Sequence, residues 1–354
     1  MTGKASPAVQ QAAIDLLRAG TVIPAQPLAL TAKRQLDERR QRALTRYYLD
    51  AGSGGVAVGV HTTQFAIREA GLYDRVLSLA SETAAQWTDR QLVMVAGIAG
   101  TSLQAVNEAK IAASLGYNAG LLSLAALKGQ SEDALIAHCQ AVAEEIPLVG
   151  FYLQPAVGGL HLDANFWARF AAIPNVVAIK VAPFNRYRTI DVVRGIVAAG
   201  AENRITLYTG NDDHIVLDLV TPFTVIRDGE AVTMRFKGGL LGHWSVWTKG
   251  AVEIFKRCRA EAAKEAVSAE LLGLDARVTD CNSAFFDVAN DFHGCIAGCH
   301  EILRRQGLLE GIWCLDPEEG LSPGQAEELT RVSHLHADLA DDDFVRANLS
   351  RWLD

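Results

Sequence analysis

Cysteine is scarce in this sequence. Six residues among 354 are too few and too scattered for a disulfide scaffold, and reduced thiols are the simpler reading. No uncharged apolar run reaches the roughly 18 to 20 residues a membrane span needs. The opening MTGKASPAVQ is polar and carries no apolar signal core. These absences lead us to expect a cytoplasmic protein with no membrane partner. A basic excess is also missing: 33 Lys and Arg against 41 Asp and Glu leave a formal charge of -8. That argues against a nucleic-acid-binding surface, while an anionic substrate in a local pocket stays open. What is abundant is apolar side chain, 49% hydrophobic against 21% charged, which excludes a disordered chain. The length suffices for one large domain or two ordinary ones, and no internal repeat or low-complexity linker divides it.

Short apolar runs alternate with longer helical stretches. Candidate strands are Thr21–Leu30, Gly55–Val60, Leu92–Gly97, Ala119–Leu124, Pro147–Leu153, Val176–Val181, Ile205–Thr209 and Gly239–His243. Most are continuously apolar, as parallel strands buried on both faces must be. Thr101-Ser-Leu-Gln104 reads as a capping box opening a helix. Trp247, Ala251, Ile254, Phe255 and Cys258 share one helical face after the last strand. About eight strand–helix units in about 250 residues predict a (β/α)8 TIM barrel. A doubly wound sheet competes, weakened by the missing Gly-x-Gly-x-x-Gly turn after the first strand; the same lack disfavours a nucleotide-dependent oxidoreductase. Phe223–Phe236 breaks the rhythm: two β-rich runs flank Asp228-Gly229, predicting a hairpin inserted near 223–236, before the eighth strand. Beyond residue 250 the chain reads as helical, with Pro317 and Pro323 as punctuation and Asp341-Asp-Asp343 before the last helix. The expected division is a barrel over 1–255 and a C-terminal helical region, packed on it, over 256–354.

Lys180 ends the otherwise uncharged run Val176–Ile179. It reads either as a lysine emerging into solvent or as a desolvated amine of lowered pKa, the form a Schiff-base nucleophile requires. Tyr152 ends the preceding strand and reads either as a core cap or as a proton shuttle at the barrel mouth. His61-Thr62-Thr63 places hydroxyls and backbone N–H groups at another strand end, where a carboxylate could bind. His293-Gly-Cys295-Ile-Ala-Gly-Cys299-His300 is the rival cluster. It lacks a Cys-x-x-Cys pair, and its small residues suit close helix packing, so no metal is expected. His138-Cys139 reads as core.

The ordered set of segments resembles the dihydrodipicolinate synthase / N-acetylneuraminate lyase family of class I aldolases. Val60-His-Thr-Thr-Gln64 stands where that family has Gly-Thr-Thr-Gly-Glu, and Val95-Ala-Gly-Ile-Ala-Gly-Thr101 resembles its Ala-Gly-x-Gly turn. Phe151-Tyr-Leu-Gln-Pro155 resembles Tyr-Asn-x-Pro, Ile179-Lys180 its Ile-Lys, and Thr209-Gly-Asn-Asp-Asp213 its Ser-Gly-Asp-Asp. The interval from Tyr152 to Lys180 is the kind the family keeps. The resemblance implies that Lys180 forms an imine with a 2-oxo acid such as pyruvate, that Tyr152 relays protons, and that Thr62 hydrogen-bonds Tyr152. It implies that Thr63, with the Thr62–Thr63 backbone, holds the substrate carboxylate. No cofactor is implied. His61, Gln64, Asp212 and His243 are further substrate-binding candidates, with Asn185, Arg186 and Trp244 also at the rim.

Two departures matter. The synthase's Pro-Tyr-Tyr segment is replaced by Leu124-Ala-Ala-Leu-Lys128, and its arginine after the tyrosine by Ala156-Val-Gly-Gly159. The pyruvate half therefore looks kept and the second-substrate half rebuilt with an apolar wall at Leu124–Leu127. The expectation is a lyase (aldolase, hydratase-aldolase or dehydratase) that is not a true dihydrodipicolinate synthase. It would take a 2-oxo acid and an aldehyde, and assemble as a homodimer or homotetramer. A non-catalytic 2-oxo acid sensor on the same barrel is the alternative.

Overall fold

The computed structural model describes residues 6–354. The chain opens with α1 (Pro7–Ala19), capped by the Ser6 hydroxyl, and enters β1 (Val22–Pro24). Strand and helix then alternate through α2 (Glu38–Ala51), β2 (Gly55–Val58), α3 (Tyr73–Trp87), β3 (Val93–Ile98) and α4 (Ser102–Ser114). Next come β4 (Ala119–Leu122), α5 (Glu132–Ala143), β5 (Leu148–Leu153), α6 (Ala164–Ala171), β6 (Val176–Ala182) and α7 (Arg186–Ala198). After β7 (Thr206–Thr209) and α8 (Ile215–Val220), the strands β8 (Phe223–Arg227) and β9 (Glu230–Met234) intervene before β10 (Phe236–Leu241). Helices α9 (Thr248–Ala262), α10 (Glu270–Phe285), α11 (Cys295–Arg305), α12 (Gln325–Leu335) and α13 (Asp342–Leu353) complete the chain.

Eight parallel strands run in the order β1-β10-β7-β6-β5-β4-β3-β2. A parallel bridge from Ala25 to Ala57 brings β1 against β2 and closes the ring. The fold is the (β/α)8 barrel. The strands lack polar alternation because both faces are covered. Val95, Leu121, Val149, Ala178 and Leu240 fill the barrel interior. Val58, Met94, Leu122, Ile179 and Leu207 face the helical layer. Ile14 and Leu17 of α1 join the interior set, and Tyr208 donates its hydroxyl to the Leu17 carbonyl at 2.8 Å. The N-terminal end of the barrel is thereby stoppered, which leaves the C-terminal strand ends as the open face.

Side-chain caps fix several helix starts. Asp37, Ser131, Asp163 and Asn185 accept from backbone N–H groups of α2, α5, α6 and α7; each such cap is worth about 1 kcal/mol. The expected capping box does not form. Thr101 is the N-cap of α4, but its hydroxyl makes no cap bond, and Gln104 turns to Glu108 at 2.8 Å. The first strand is shorter than the apolar run Thr21–Leu30, because Pro24 and Pro27 remove ladder donors.

The hairpin is present: β8 and β9 pair antiparallel around Asp228 (φ 54°) and Gly229 (φ 84°), the left-handed pair of a two-residue turn. It stands outside the barrel sheet. Residue 255 falls inside α9, the eighth barrel helix. The later helices return to the barrel. Trp352 of α13 packs on Tyr47 of α2 with ring centroids 5.4 Å apart, and Tyr47 donates to Asp341 at 2.7 Å. Among the described residues no helix is long and apolar enough to cross a membrane.

Candidate active site

Lys180 sits near the C-terminal end of β6. Its neighbours Ile179 and Val181 face the helical layer, so the lysine points into the barrel with Ala178 and Ala182. It is only 8% exposed. In register it lies beside Phe151 of β5 and Tyr208 of β7, and its Nζ stands 4.3 Å from the centre of the Phe151 ring. Gly210, just past β7, is required by this packing. A Cβ there would fall 2.7 Å from Lys180 Cε and 2.8 Å from Ala182 Cβ. Lys180 is the floor of a cavity at the barrel mouth, which His61, Thr62, Gln154 and Asp212 also line.

Burial governs the electrostatics. It holds the Lys180 ammonium well below the usual lysine range, while nearby Asp212 pulls the other way. Burial likewise holds the Asp212 carboxyl above the usual carboxylate range, against the pull of Lys180. Asp212 Oδ1 is buried and has no hydrogen-bond partner among the described residues. His61 is pushed down to about 4 by burial and by Lys180, so it is a neutral imidazole at pH 7. The cavity therefore holds a readily deprotonated amine, a readily protonated carboxylate and an uncharged imidazole together.

The remaining expected residues divide. Tyr152 is the main correction. Side chains alternate along β5, and with Phe151 turned inward Tyr152 faces out. Its ring packs on Trp167 of α6 with centroids 5.2 Å apart. Its hydroxyl donates to the Leu162 carbonyl at 2.9 Å and accepts from the Leu162 N–H at 3.3 Å. It lines no part of the cavity, so Phe151 occupies the inward place expected of the tyrosine. Thr62 does line the cavity, but its hydroxyl donates to the Ala25 carbonyl at 2.7 Å rather than to Tyr152.

Thr63 is turned away. Its hydroxyl donates to the Gln26 carbonyl at 2.7 Å and accepts from Gly59 N–H, and its own N–H donates to the Val60 carbonyl. Gln64 reaches the C-terminal segment instead, accepting from Leu315 N–H at 2.6 Å. The ring of His243 is held by Asn282 of α10 and packs on Phe285. Arg186 pairs with buried Asp218, and Arg188 with Asp191 at 3.3 Å, so neither lines the cavity. Leu124 packs into the helical layer, not the expected wall.

The apolar wall comes from elsewhere. Phe184 follows β6, while Phe286 and Phe292 lie between α10 and α11, with Cys295 and Ile296 opening α11. Phe184 and Phe292 pack at 5.8 Å, and both have left-handed backbones (φ 50° and 67°). Such strain persists only where the surroundings impose it. Here Asp287 and Gln325 pin the loop, bonding to Gly294 N–H at 2.9 Å and Gly294 carbonyl at 3.0 Å. Sequence reasoning missed these aromatics. The one local sign was Phe292 beside the cysteine–histidine run. In that run Cys295 faces the cavity while Cys299 and His300 are buried. Among the described residues no group of three or more His, Cys, Asp or Glu is placed to hold a metal ion.

Comparison with known proteins places this arrangement. The chain is 26% identical over 196 residues to the 4-hydroxy-tetrahydrodipicolinate synthase of Synechococcus elongatus, a match covering 54% of this chain and 62% of that protein. It is 32% identical over 159 residues to the 4-hydroxy-tetrahydrodipicolinate synthase of Sorangium cellulosum, covering 41% and 51%. The match thus spans less than two thirds of the length of these curated relatives. Dihydrodipicolinate synthase from Aquifex aeolicus superposes with a TM-score of 0.72 at 16% identity, over 90% of this chain and 98% of that one. N-acetylneuraminate lyase from Fusobacterium nucleatum gives 0.71 at 16% identity, over 91% and 99%. At these identities the structural likeness is one of fold. Residues 19–221, more than half of the chain and inclusive of Lys180 and Asp212, match the Dihydrodipicolinate synthetase family, and the chain belongs to that family as a divergent member.

Proposed function

We propose that the protein is a Schiff-base-forming lyase that joins Lys180 to the keto carbon of pyruvate or a related 2-oxo acid. The observation that carries this reading is the buried amine of Lys180 at the floor of a cavity on the C-terminal face of the barrel. Desolvation lowers the pKa of that amine, so its neutral form is far more accessible near physiological pH than for a solvent-exposed lysine, and a neutral amine is the nucleophile. Once formed, the iminium is an electron sink for making or breaking the bond at C3. Carbon–carbon or carbon–oxygen cleavage both follow from the same enamine. No cofactor is needed for this chemistry.

Dihydrodipicolinate synthase activity itself is not proposed. Among the described residues neither an arginine nor a tyrosine lines the cavity, and Phe184, Phe286, Phe292 and Ile296 supply an apolar wall instead. Two of these phenylalanines and Ile296 come from beyond the stretch that matches the family, which supports a different second substrate. That substrate would be a neutral or apolar aldehyde. We place the enzyme in the cytoplasm as a homodimer or homotetramer, with the barrel and the C-terminal helices as its two parts.

Phe151 in the inward position on β5 favours one rival, a 2-oxo acid binding protein without turnover. The two readings separate in one assay. A panel of 2-oxo-3-deoxy acids is screened for pyruvate release, with borohydride inactivation measured alongside. The lyase releases pyruvate from at least one acid and is inactivated by borohydride in its presence. Binding of the acids with neither effect supports the sensor.

A further inference from the structure

An imine enzyme must give and take protons at the reacting carbons, and Tyr152 is on the wrong face of β5 to do so. Its inward neighbour Phe151 has no proton to move. Building on the lyase reading above, we propose that Asp212 is the acid and base of this site, in place of a tyrosine.

Three observations of geometry support the assignment. Asp212 lines the same cavity as Lys180. Its Oδ1 is buried with no partner among the described residues, so one carboxylate oxygen is uncommitted there. Gly210, two residues earlier, lets the end of β7 pass against the lysine stem. The other polar groups of the cavity are less suited. Thr62 spends its hydroxyl proton on the Ala25 carbonyl, and His61 is a weak base at about 4.

The proton cycle balances within this pair. The neutral amine of Lys180 adds to the keto carbon and, after proton transfer from nitrogen to oxygen, leaves a carbinolamine. Asp212 as the carboxylic acid protonates the departing hydroxyl. The C–O bond breaks, the nitrogen lone pair forms the C=N bond, and water leaves. Asp212, now a carboxylate, removes a proton from C3. The C–H pair becomes the C3=C2 bond and the iminium pair returns to nitrogen, giving the enamine. In the cleavage direction the same carboxylate takes the C4 hydroxyl proton as the C3–C4 bond breaks into the iminium.

A carboxyl held above its ordinary range is suited to both halves of this cycle. The groups that face it are Lys180 from β6, Asp213 from its own loop, His61 from the turn after β2, and Cys295 and Cys299 from α11, with the His243 backbone N–H beside it. Lys180 and that N–H favour the carboxylate, whereas burial and Asp213 favour the acid.

The test needs pyruvate alone: exchange of its methyl protons for deuterium in D2O, followed by NMR, with borohydride trapping in parallel. At saturating pyruvate, where Lys180 is already held as the imine, wild-type protein should catalyse exchange with a rate that rises with pH as Asp212 ionises. Asp212→Asn should slow exchange by about 10²–10⁴-fold and lose that limb, yet still accumulate a reduced pyruvate adduct at Lys180. Asp212→Ala should regain part of the rate on addition of formate, which shows the folded site awaiting a carboxylate. Exchange at the wild-type rate in Asp212→Asn, or its loss in His61→Gln while Asp212→Asn retains it, would overturn the assignment. Absence of any adduct from wild-type protein would instead overturn the lyase reading, and this inference with it.

Discussion

Gly210→Ala is a small change with a calculable consequence. The added Cβ would lie 2.7 Å from Lys180 Cε, 3.2 Å from Lys180 Cγ and 2.8 Å from Ala182 Cβ. Carbon atoms pack at about 3.5–4.0 Å, so the surroundings must yield by about 1 Å. Ala182 is fixed to the backbone of β6, whereas the lysine stem can rotate. The lysine stem is therefore displaced, the Ala182 contact forces the ends of β6 and β7 slightly apart, and the stability cost falls in the overpacking range of about 1–3 kcal/mol. A shift of about 1 Å at a reacting atom costs on the order of 10²-fold in rate. The assay is the rate of borohydride-dependent pyruvate incorporation, with thermal unfolding measured on the same sample. We expect incorporation to slow by about 10²-fold while a cooperative transition persists. Gly320→Ala, where a Cβ meets nothing within 4 Å and the backbone is not left-handed, is the control for stability and should leave incorporation unchanged. Unaltered incorporation in Gly210→Ala would refute the reasoning, since the amine would then not depend on the close passage of β7.

Three further outcomes follow from particular contacts. Tyr152→Phe should keep near-full turnover and lose about 1 kcal/mol of stability, since the hydroxyl bonds only to Leu162; a large fall in kcat with unchanged stability would return the residue to the chemistry. Asp280, held down to about 2 chiefly by its hydrogen bonds with Arg331 and also by His336, contributes stability that is present above its ordinary value of 3.8 and lost as pH falls toward about 2. Wild type should therefore exceed Asp280→Asn in denaturant midpoint near neutral pH, and the gap should close across that acid window; a gap independent of pH would contradict the pairing. Lastly, kcat/KM for condensation with pyruvate should be higher for an apolar aldehyde than for aspartate semialdehyde, whose carboxylate meets no guanidinium in the cavity. The reverse order would mean that Arg186 or Arg188 leaves its carboxylate partner to enter the site.

The barrel was legible because its cause is local and repeated. Each buried strand is a short apolar run, and eight of them at even spacing admit few architectures. The hairpin was legible for the same reason, as Asp228 and Gly229 accept the positive φ a tight turn demands. The side-chain parity of β5 was not. A parallel strand buried on both faces has no polar alternation, so Phe151-Tyr152 gives no sign of which ring turns inward. Packing of Tyr152 between Trp167 and Leu162 settles it. A similar one-residue ambiguity separates Thr62, which lines the cavity, from Thr63, which binds the chain behind it. The aromatic wall was hidden for another reason. Phe286 and Phe292 are brought over the barrel by contacts such as Gln325 with Ala284 and Gly294, at sequence separations no local pattern reports.

The imine on Lys180 is the center of this account, and one measurement addresses it directly. The protein is incubated with pyruvate and borohydride near neutral pH, digested and mapped by mass spectrometry. The account predicts a reduced pyruvyl adduct on Lys180 and none in Lys180→Ala that remains folded. A protein that stays unmodified, or one that carries the adduct on a different lysine such as Lys128, would contradict it.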